Sequence, residues 1–284
     1  MDQIGTLIKK LEERARQRNL KLWGIGIAIC GMVNKNTGIV EYSPIFDWFQ
    51  VDVRKALSSY TSLDIALGNV VHLIALGELL YGVGQLYTDF ICINLGYGIG
   101  SGIISNRRLF TGADGIAGEI GHIIIDSKTG RKGMEGISGT LEALASGYGI
   151  ADIARELSLT DKESVLHSLD PADIDAKSVF DAAKNGDHLS VTLIDSVAKS
   201  ISIGIDTLIK LFNPECIVLT GGLILNGDYL INKIRKELQE FSMNAVSRKV
   251  PVITSGFGEN AALMGSFSLT LEKILHLEKQ PDKL

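Results

Sequence analysis

The sequence has few cysteines, few prolines and no long apolar run. The scarcity of cysteine and the lack of a long apolar run each exclude a class of protein. Only three cysteines and five prolines occur among 284 residues. The cysteines, Cys30, Cys92 and Cys216, lie far apart in apolar runs, so we interpret them as buried thiols in a reducing compartment. No stretch approaches the roughly 20 apolar residues that a membrane span needs. No apolar segment follows a basic start, so we see no secretory signal and expect a cytoplasmic protein without membrane partners.

Net charge and composition narrow the possible class of protein further. The formal net charge of −5 argues against a broad nucleic-acid footprint on this chain. Hydrophobic residues make up 45% and charged residues 21%, which is an ordinary globular balance. A length of 284 residues is long for one core and favours two lobes.

The apolar pattern alternates between helix and strand periods. Apolar residues at Ile4, Leu7, Ile8 and Leu11 predict an amphipathic helix, and residues 22–30 predict a buried strand. The same patterns predict further helices at 51–60, 73–81, 141–156, 178–183, 188–212, 228–241 and 259–275, and further strands at 63–67, 90–94, 101–104, 123–125, 216–220 and 252–255. This alternation predicts an α/β fold in two units, with a cleft between them for a small ligand.

The densest glycine cluster contains Gly96, Gly98, Gly100 and Gly102. Glycines allow backbone N–H groups to approach an anion, so the cluster could form a phosphate cradle. It could equally form a tight β-hairpin in which small residues only permit the turn. No Lys-Ser or Lys-Thr follows, which excludes a Walker loop, and a predicted strand follows where a Rossmann fingerprint needs a helix.

Three polar side chains are candidates for ligand contacts. Glu119 and His122 stand three residues apart, and a carboxylate with an imidazole can hold vicinal hydroxyls. Taken alone, the pair is more simply interpreted as a satisfied surface loop pair. Glu142 stands at a predicted helix start, where its charge could serve only the helix dipole.

Together these segments resemble the ROK family (repressor, open reading frame, kinase) of sugar kinases and sugar-responsive repressors. The matching stretches are 24–33 with Ser43, Pro44 and Trp48, 68–69 with 75–78, 96–122 with its highly specific Gly-Ala-x-Gly-x-Ala-Gly-Glu-Ile-Gly-His ending, 139–147, 213–215, 221–222 and 256–261. The resemblance covers nearly the whole chain. It implies an actin-like, sugar-kinase two-lobe α/β fold and a homodimer.

The resemblance also implies lobes and site residues. The first lobe would comprise residues 1–88, joined by a C-terminal helix at 259–284, and the second lobe, with dimerisation potential, residues 89–258. The sugar-binding candidates are Asn69, Glu119, His122 and Glu142. The candidate phosphate-loop remnant comprises Gly96, Gly98, Gly100, Gly102, Gly221 and Gly222.

Two departures from the family pattern concern the chemistry. The family has Asn-Asp-x-Asn where this chain has Asn69-Val70-Val71-His72, so Val70 occupies the position of the catalytic aspartate. Valine accepts no proton, and a positioned base contributes about 10²–10⁴-fold. We expect His72 to point elsewhere and not to replace that base. The family's zinc ligands are a histidine, at His122, and three cysteines, whose positions hold the residues Gly133, Glu135 and Thr140, so we predict no metal.

A third departure is the family's first Asp-x-Gly-Gly-Thr phosphate loop, which this sequence lacks. We expect the natural chain to extend N-terminally, and the strand near 24–28 to lie at an exposed sheet edge. These departures predict a chain that is not an enzyme and needs no cofactor.

The sequence therefore predicts the body of a ROK transcriptional regulator, similar to xylose-repressor homologues. It would sense a sugar effector and reach DNA only through a segment not present here. The alternative is a protein-interaction scaffold that contacts another repressor, like the anti-repressors of staphylococcal methicillin resistance. An active ATP-dependent sugar kinase is the third possibility.

Overall fold

The computed structural model describes residues 1–34, 37–224, 228–241 and 249–274. Its helices are α1 Asp2–Gln17, α2 Val53–Leu57, α3 Val70–Tyr81, α4 Leu141–Ala145, α5 Gly147–Ser158, α6 Ala176–Lys184, α7 His188–Phe212, α8 Asp228–Phe241 and α9 Ala261–Ile274. Its strands are β1 Ile25–Ile29, β2 Met32–Asn34, β3 Ile39–Ser43, β4 Trp48–Asp52, β5 Ile65–Asn69, β6 Phe90–Leu95, β7 Ile99–Ser105, β8 Arg108–Phe110, β9 Cys216–Thr220 and β10 Val252–Thr254. In the described ranges, no helix is both long and apolar enough to span a bilayer.

The described strands form three sheets. β1 pairs with β5 in parallel, and β2, β3 and β4 form an antiparallel sheet beside them. The third sheet has the order β10-β9-β6-β7-β8, with β10, β9 and β6 parallel and the β6–β7–β8 connections antiparallel. The predicted α/β class is confirmed.

The central strand β6 is covered by helices on both faces. Ile91, Ile93 and Leu95 point into one apolar cluster, formed with residues of α4 to α7. Phe90 and Cys92 point into the opposite cluster, formed with residues of α3 and α9. Successive side chains of β6 alternate between the two faces of the sheet, so apolar residues face helices on both sides. On one of these sides, α3 packs against β7.

Helix α9 packs against α3 and β1 at close backbone distance. A Cβ on Gly265 would lie 1.7 Å from the carbonyl oxygen of Leu73, and a Cβ on Gly26 would lie 2.4 Å from that of Ser266. Both positions therefore require glycine. The contact locks α9, α3 and β1 together, and so holds the start of α3 in place. Of the helix predicted at 259–275, Leu275 lies outside the described residues, as does the rest of 275–284.

A third apolar cluster lies under α1. Ile8 packs with Ile29, Val40, Leu57 and Leu67, which joins α1 to both small sheets. Among the described strands, β1 pairs with β5 alone, so its second edge is open in agreement with the expected edge position.

Several predicted elements differ in the structure. The helix predicted at 141–156 is two helices, because Ser146 is extended between α4 and α5 and its hydroxyl caps the Gly149 amide. The strand predicted at 123–125 is a single bridge between Ile124 and Thr140. Of the helix predicted at 51–60, only residues 53–57 form a helix, α2, because residues 51 and 52 pair as the end of β4.

Candidate functional site

A cleft of about 770 Å³, measured with the solvent at its mouth, opens between residues 30–72 and residues 94–142. One wall comes from the end of β1, from β3 and from the first turn of α3. The other comes from the β6–β7 hairpin, the segment around residues 118–122, residues 134–135 and the start of α4. All four predicted sugar contacts line it: Asn69, Glu119, His122 and Glu142. The structure therefore brings together residues that are up to 73 positions apart in sequence.

Asn69 stands at the junction of β5 and α3 and uses both ends of its amide. Its Oδ1 accepts hydrogen bonds from the backbone N–H groups of Val71 at 2.8 Å and His72 at 3.3 Å. Its Nδ2 donates to the carbonyl of Gly31 at 2.9 Å. The cap satisfies two N-terminal amides of α3 and fixes the side chain at the edge of the cleft.

His122 lies between two carboxylates. Its Nε2 is 3.5 Å from Glu119 Oε2, and its Nδ1 is 3.5 Å from Glu135 Oε2. Burial raises the pKa of Glu119 above its usual range, while the charge of His122 opposes that rise. Distances of 3.5 Å are longer than ordinary hydrogen bonds. The three groups therefore keep donors and acceptors available for a ligand.

Glu142 lies in the first turn of α4 and is almost fully buried, with 6% of its surface exposed. Its Oε2 accepts a hydrogen bond from the backbone N–H of Ile99 at 3.1 Å. Burial raises the pKa of this carboxyl, and the Ile99 hydrogen bond opposes the rise. Glu142 thus ties α4 to the β6–β7 hairpin, a role that its place at a helix start does not reveal.

The glycine cluster forms a tight hairpin. Leu95 pairs with Ile99, so residues 96–98 make the turn between β6 and β7. Gly102 lies inside β7 beneath α3, where a Cβ would come within 2.7 Å of the Val71 carbonyl oxygen. This segment is therefore the tight β-hairpin that was one of the two interpretations of the glycine cluster.

A second glycine turn lies beside the hairpin. Gly221 and Gly222 follow β9, the parallel neighbour of β6, and Gly221 has a φ of +97°. A Cβ there would lie 2.5 Å from the Leu95 carbonyl oxygen. Both glycine turns therefore meet at the carboxyl edge of the sheet, which is where α/β proteins bind ligands. Their phosphate-binding role stays a prediction.

Val70 and His72 both line the cleft. The expectation that His72 points elsewhere is wrong, because the cleft follows the whole first turn of α3. The His72 ring is buried, with 7% of the residue exposed, and its Nε2 lies 2.9 Å from the carbonyl oxygen of Ala117. Burial lowers the pKa of His72, against the opposing effect of that hydrogen bond. Sequence patterns offered no signal for this contact beyond its closeness to Asn69.

The four positions that correspond to the family's zinc ligands form two contacting pairs. Glu135 contacts His122, and a Cβ on Gly133 would lie 3.2 Å from the hydroxyl oxygen of Thr140. Over the described ranges, no group of three or more His, Cys, Asp or Glu side chains is arranged to hold a metal. In this chain the carboxylate of Glu135 contacts the ring of His122.

Comparison with known proteins finds one family over nearly the whole chain. A family model described as the ROK family matches residues 1–273. A glucokinase of Thermotoga maritima is 32% identical over 253 residues, 88% of this chain and 80% of that protein. A xylose repressor of Caldicellulosiruptor bescii is 28% identical over 270 residues, 95% of this chain and 67% of that protein.

The fold has a counterpart among solved structures. A ROK family glucokinase from Streptomyces griseus, in complex with glucose and AMPPNP, matches with a TM-score of 0.80 and 26% identity, over 93% of this chain and 87% of that one. The predicted sugar-kinase type of α/β fold is confirmed by this likeness.

The expectation that the chain is not an enzyme is wrong on these findings. It rested on Val70 and on the missing Asp-x-Gly-Gly-Thr loop. Relatives named glucokinase at 32% identity, together with sugar-kinase structural neighbours, point to kinase activity, while repressors also occur among the relatives. These two departures do not outweigh a family match over residues 1–273.

Proposed function

Because this chain belongs to the ROK family, with a match over residues 1–273, we propose that its cleft binds a monosaccharide and that the protein responds to that sugar. The observation that carries the proposal is the convergence of Glu119, His122 and Glu142 with Asn69 on the same cleft. These residues come from both walls, so one ligand can contact both walls at once.

The chemistry of the cleft suits an uncharged polyol. Carboxylates accept hydrogen bonds from sugar hydroxyls, and imidazole can donate or accept. Apolar groups from Ile45, Val70 and Met134 also line the space and can contact the carbon face of a sugar ring. The neighbouring structure in complex with glucose supports a hexose as the first ligand to test.

The role that we propose for sugar binding is regulation. A ligand that binds both walls favours the closed arrangement of the lobes, which shifts a two-state equilibrium. The xylose repressors among the relatives support this role. A homodimer is part of this proposal, and light scattering on the purified chain tests it.

Sugar phosphorylation with ATP is the second candidate. The glucokinase relatives at 32% identity favour it, as do the two glycine turns at the carboxyl edge of the sheet. Phosphoryl transfer depends mainly on positioning and on charge stabilisation, so it draws on the same sugar contacts.

Calorimetric titration with pentoses, hexoses and N-acetylhexosamines tests the shared sugar site. We expect one sugar class to bind, and Glu142→Gln and His122→Ala to weaken that binding. His188→Ala is the matched control, because His188 is an exposed histidine that faces Asp161, outside the cleft. A wild-type protein that binds no sugar would overturn the proposal and favour the scaffold that contacts another repressor.

The same samples separate the two candidates. Sugar-dependent formation of ADP from ATP supports the kinase, whereas sugar binding that changes affinity for a partner or operator without ADP formation supports the regulator.

A further inference from the structure

His72 is a buried imidazole on the cleft wall, at the last position of the segment that corresponds to Asn-Asp-x-Asn in the family, and it is not among the predicted sugar contacts. Its Nε2 lies 2.9 Å from the Ala117 carbonyl oxygen. A carbonyl can only accept a hydrogen bond, so Nε2 carries the proton and donates. In the neutral ring this leaves the lone pair on Nδ1, and the buried position favours the neutral ring.

The second nitrogen of this ring is open to the cleft. Nδ1 of His72 has no hydrogen-bond partner among the described residues. Within those residues, no side-chain nitrogen or oxygen that is sealed from solvent lacks a partner. Nδ1 is therefore reached by solvent. Because the residue is 93% buried and lines the cleft, the cleft is the space to which Nδ1 opens.

We propose that Nδ1 of His72 accepts a hydrogen bond from a hydroxyl of the bound sugar. It supplies an acceptor on the α3 wall of the cleft, where Val70 offers none. This inference deepens the proposed sugar binding and rests on it. It makes His72 a determinant of specificity, because a fixed acceptor with no proton favours a ligand that has a hydroxyl at that place.

The surroundings of the ring define the ligand class. Glu119, Glu135 and Glu142 also line the cleft, with His122 between the first two. A sugar acid would bring a carboxylate toward these carboxylates and toward the His72 lone pair. The site therefore selects neutral sugars and excludes sugar acids.

The other nitrogen links the sugar to the opposite wall. Ala117 lies two residues before Glu119, on the segment that carries both Glu119 and His122. The hydrogen bond from Nε2 to Ala117 holds this segment against α3. Sugar contact at Nδ1 and segment position at Nε2 are thus two separable functions of one ring.

Two substitutions separate these functions. His72→Gln places an amide near the position of Nε2 and can still donate to Ala117, but it has no acceptor at the Nδ1 position. His72→Asn places an amide near Nδ1 and loses the reach to Ala117. We expect His72→Gln to weaken sugar binding roughly 3- to 10-fold, the effect of one ordinary hydrogen bond, and His72→Asn to retain more of the affinity. Thermal melts identify any variant that fails to fold, and His188→Gln is the surface control.

A deoxy-sugar series and nitrogen resonances make the test direct. With the deoxy sugar that lacks the contacted hydroxyl, wild type and His72→Gln should bind equally. In protein labelled with ¹⁵N-histidine, the Nδ1 resonance that His72→Gln removes should move when the sugar is added, while the Nε2 resonance keeps its protonated shift.

The results distinguish failure of the His72 inference from failure of the proposed sugar binding. If wild type binds sugar but His72→Gln binds equally well and the Nδ1 resonance does not move, the inference about His72 is overturned and the sugar site stands. If His72→Asn loses affinity and His72→Gln does not, the ring only positions the Ala117 segment. If wild type binds no neutral sugar, both proposals fail.

Discussion

Asn69 and Gly31 are joined across the edge of the cleft by a hydrogen bond of 2.9 Å from the side-chain Nδ2 to the main-chain carbonyl. Through it, the residue that caps α3 also holds the turn after β1. This wall of the cleft is therefore braced by hydrogen bonds to the backbone before any ligand binds. This bracing reduces the entropy that a ligand must offset.

Asn69→Ala removes both functions of this side chain. We expect it to lower the free energy of unfolding by about 1–2 kcal/mol through loss of the α3 cap. Asn69→Asp keeps an acceptor for the α3 amides but loses the donor to Gly31, so it should fall between the alanine variant and wild type. Urea unfolding measures the three proteins. Equal stability of Asn69→Ala and wild type would contradict the capping role.

Gly102→Ala tests the close approach of α3 to β7. The added Cβ would lie 2.6 Å from the Cβ of Ala75 and 2.7 Å from the Val71 carbonyl oxygen, so the helix must move. We expect a loss of about 1–3 kcal/mol in stability and weaker sugar binding, since α3 carries Asn69 and His72. Gly130→Ala is the matched control, because nothing lies within 4 Å of its Cβ. A Gly102→Ala protein as stable as that control would refute the packing.

Val70→Asp tests the link between this chain and its kinase relatives. The aspartate would stand in the first turn of α3, on the cleft, where it can accept the proton of a sugar hydroxyl. We expect sugar-dependent ADP formation to rise by about 10²-fold or more over wild type. Val70→Asn has the same shape without a base and should show no rise. Equal activity of all three proteins would mean that position 70 does not limit transfer.

Asp187 gives a prediction about stability and pH. It caps α7 and accepts hydrogen bonds from Ser190 and from the Val165 amide and the Ser164 hydroxyl. Burial alone would raise its pKa, but these hydrogen bonds together lower the pKa below the usual range. A lowered folded-state pKa means that the stabilisation is complete above the pKa of the unfolded chain and is lost as pH falls through the folded value.

We therefore expect Asp187→Ala to cost about 1–2 kcal/mol of stability at pH 7. The difference from wild type should shrink as the pH falls below about 4. Denaturant unfolding across this range measures it, with Asp152→Ala on the exposed face of α5 as the control. A difference that stays constant down to pH 2 would show that the carboxylate charge is not involved.

Local signals in the sequence were enough for the long helix α7. The predicted range 188–212 is confirmed. The prediction succeeded because residues next to the helix determine where it begins and ends. Asp187 caps the start, and Asn213 adopts a left-handed conformation just before Pro214. Local signals were also enough for strands such as β9, whose five residues are mostly apolar and all buried.

The break between α4 and α5 could not be found in this way. The amides of Gly147 and Tyr148 donate to the carbonyls of Gly96 and Tyr97, about 50 residues earlier in the chain. These tertiary hydrogen bonds replace the intrahelical ones, so the helix stops and restarts at Ser146. A pattern of apolar residues carries no information about such partners.

The sequence by itself determined the α/β class, the family and the four candidate sugar contacts, because periodicity and motif residues are local properties. Only the tertiary structure decided that His72 faces the cleft and contacts Ala117, and that the glycine cluster is a hairpin packed under α3. The physical reason is that these roles depend on the space between segments distant in sequence. That space is set by packing and not by the spacing of residues along the chain.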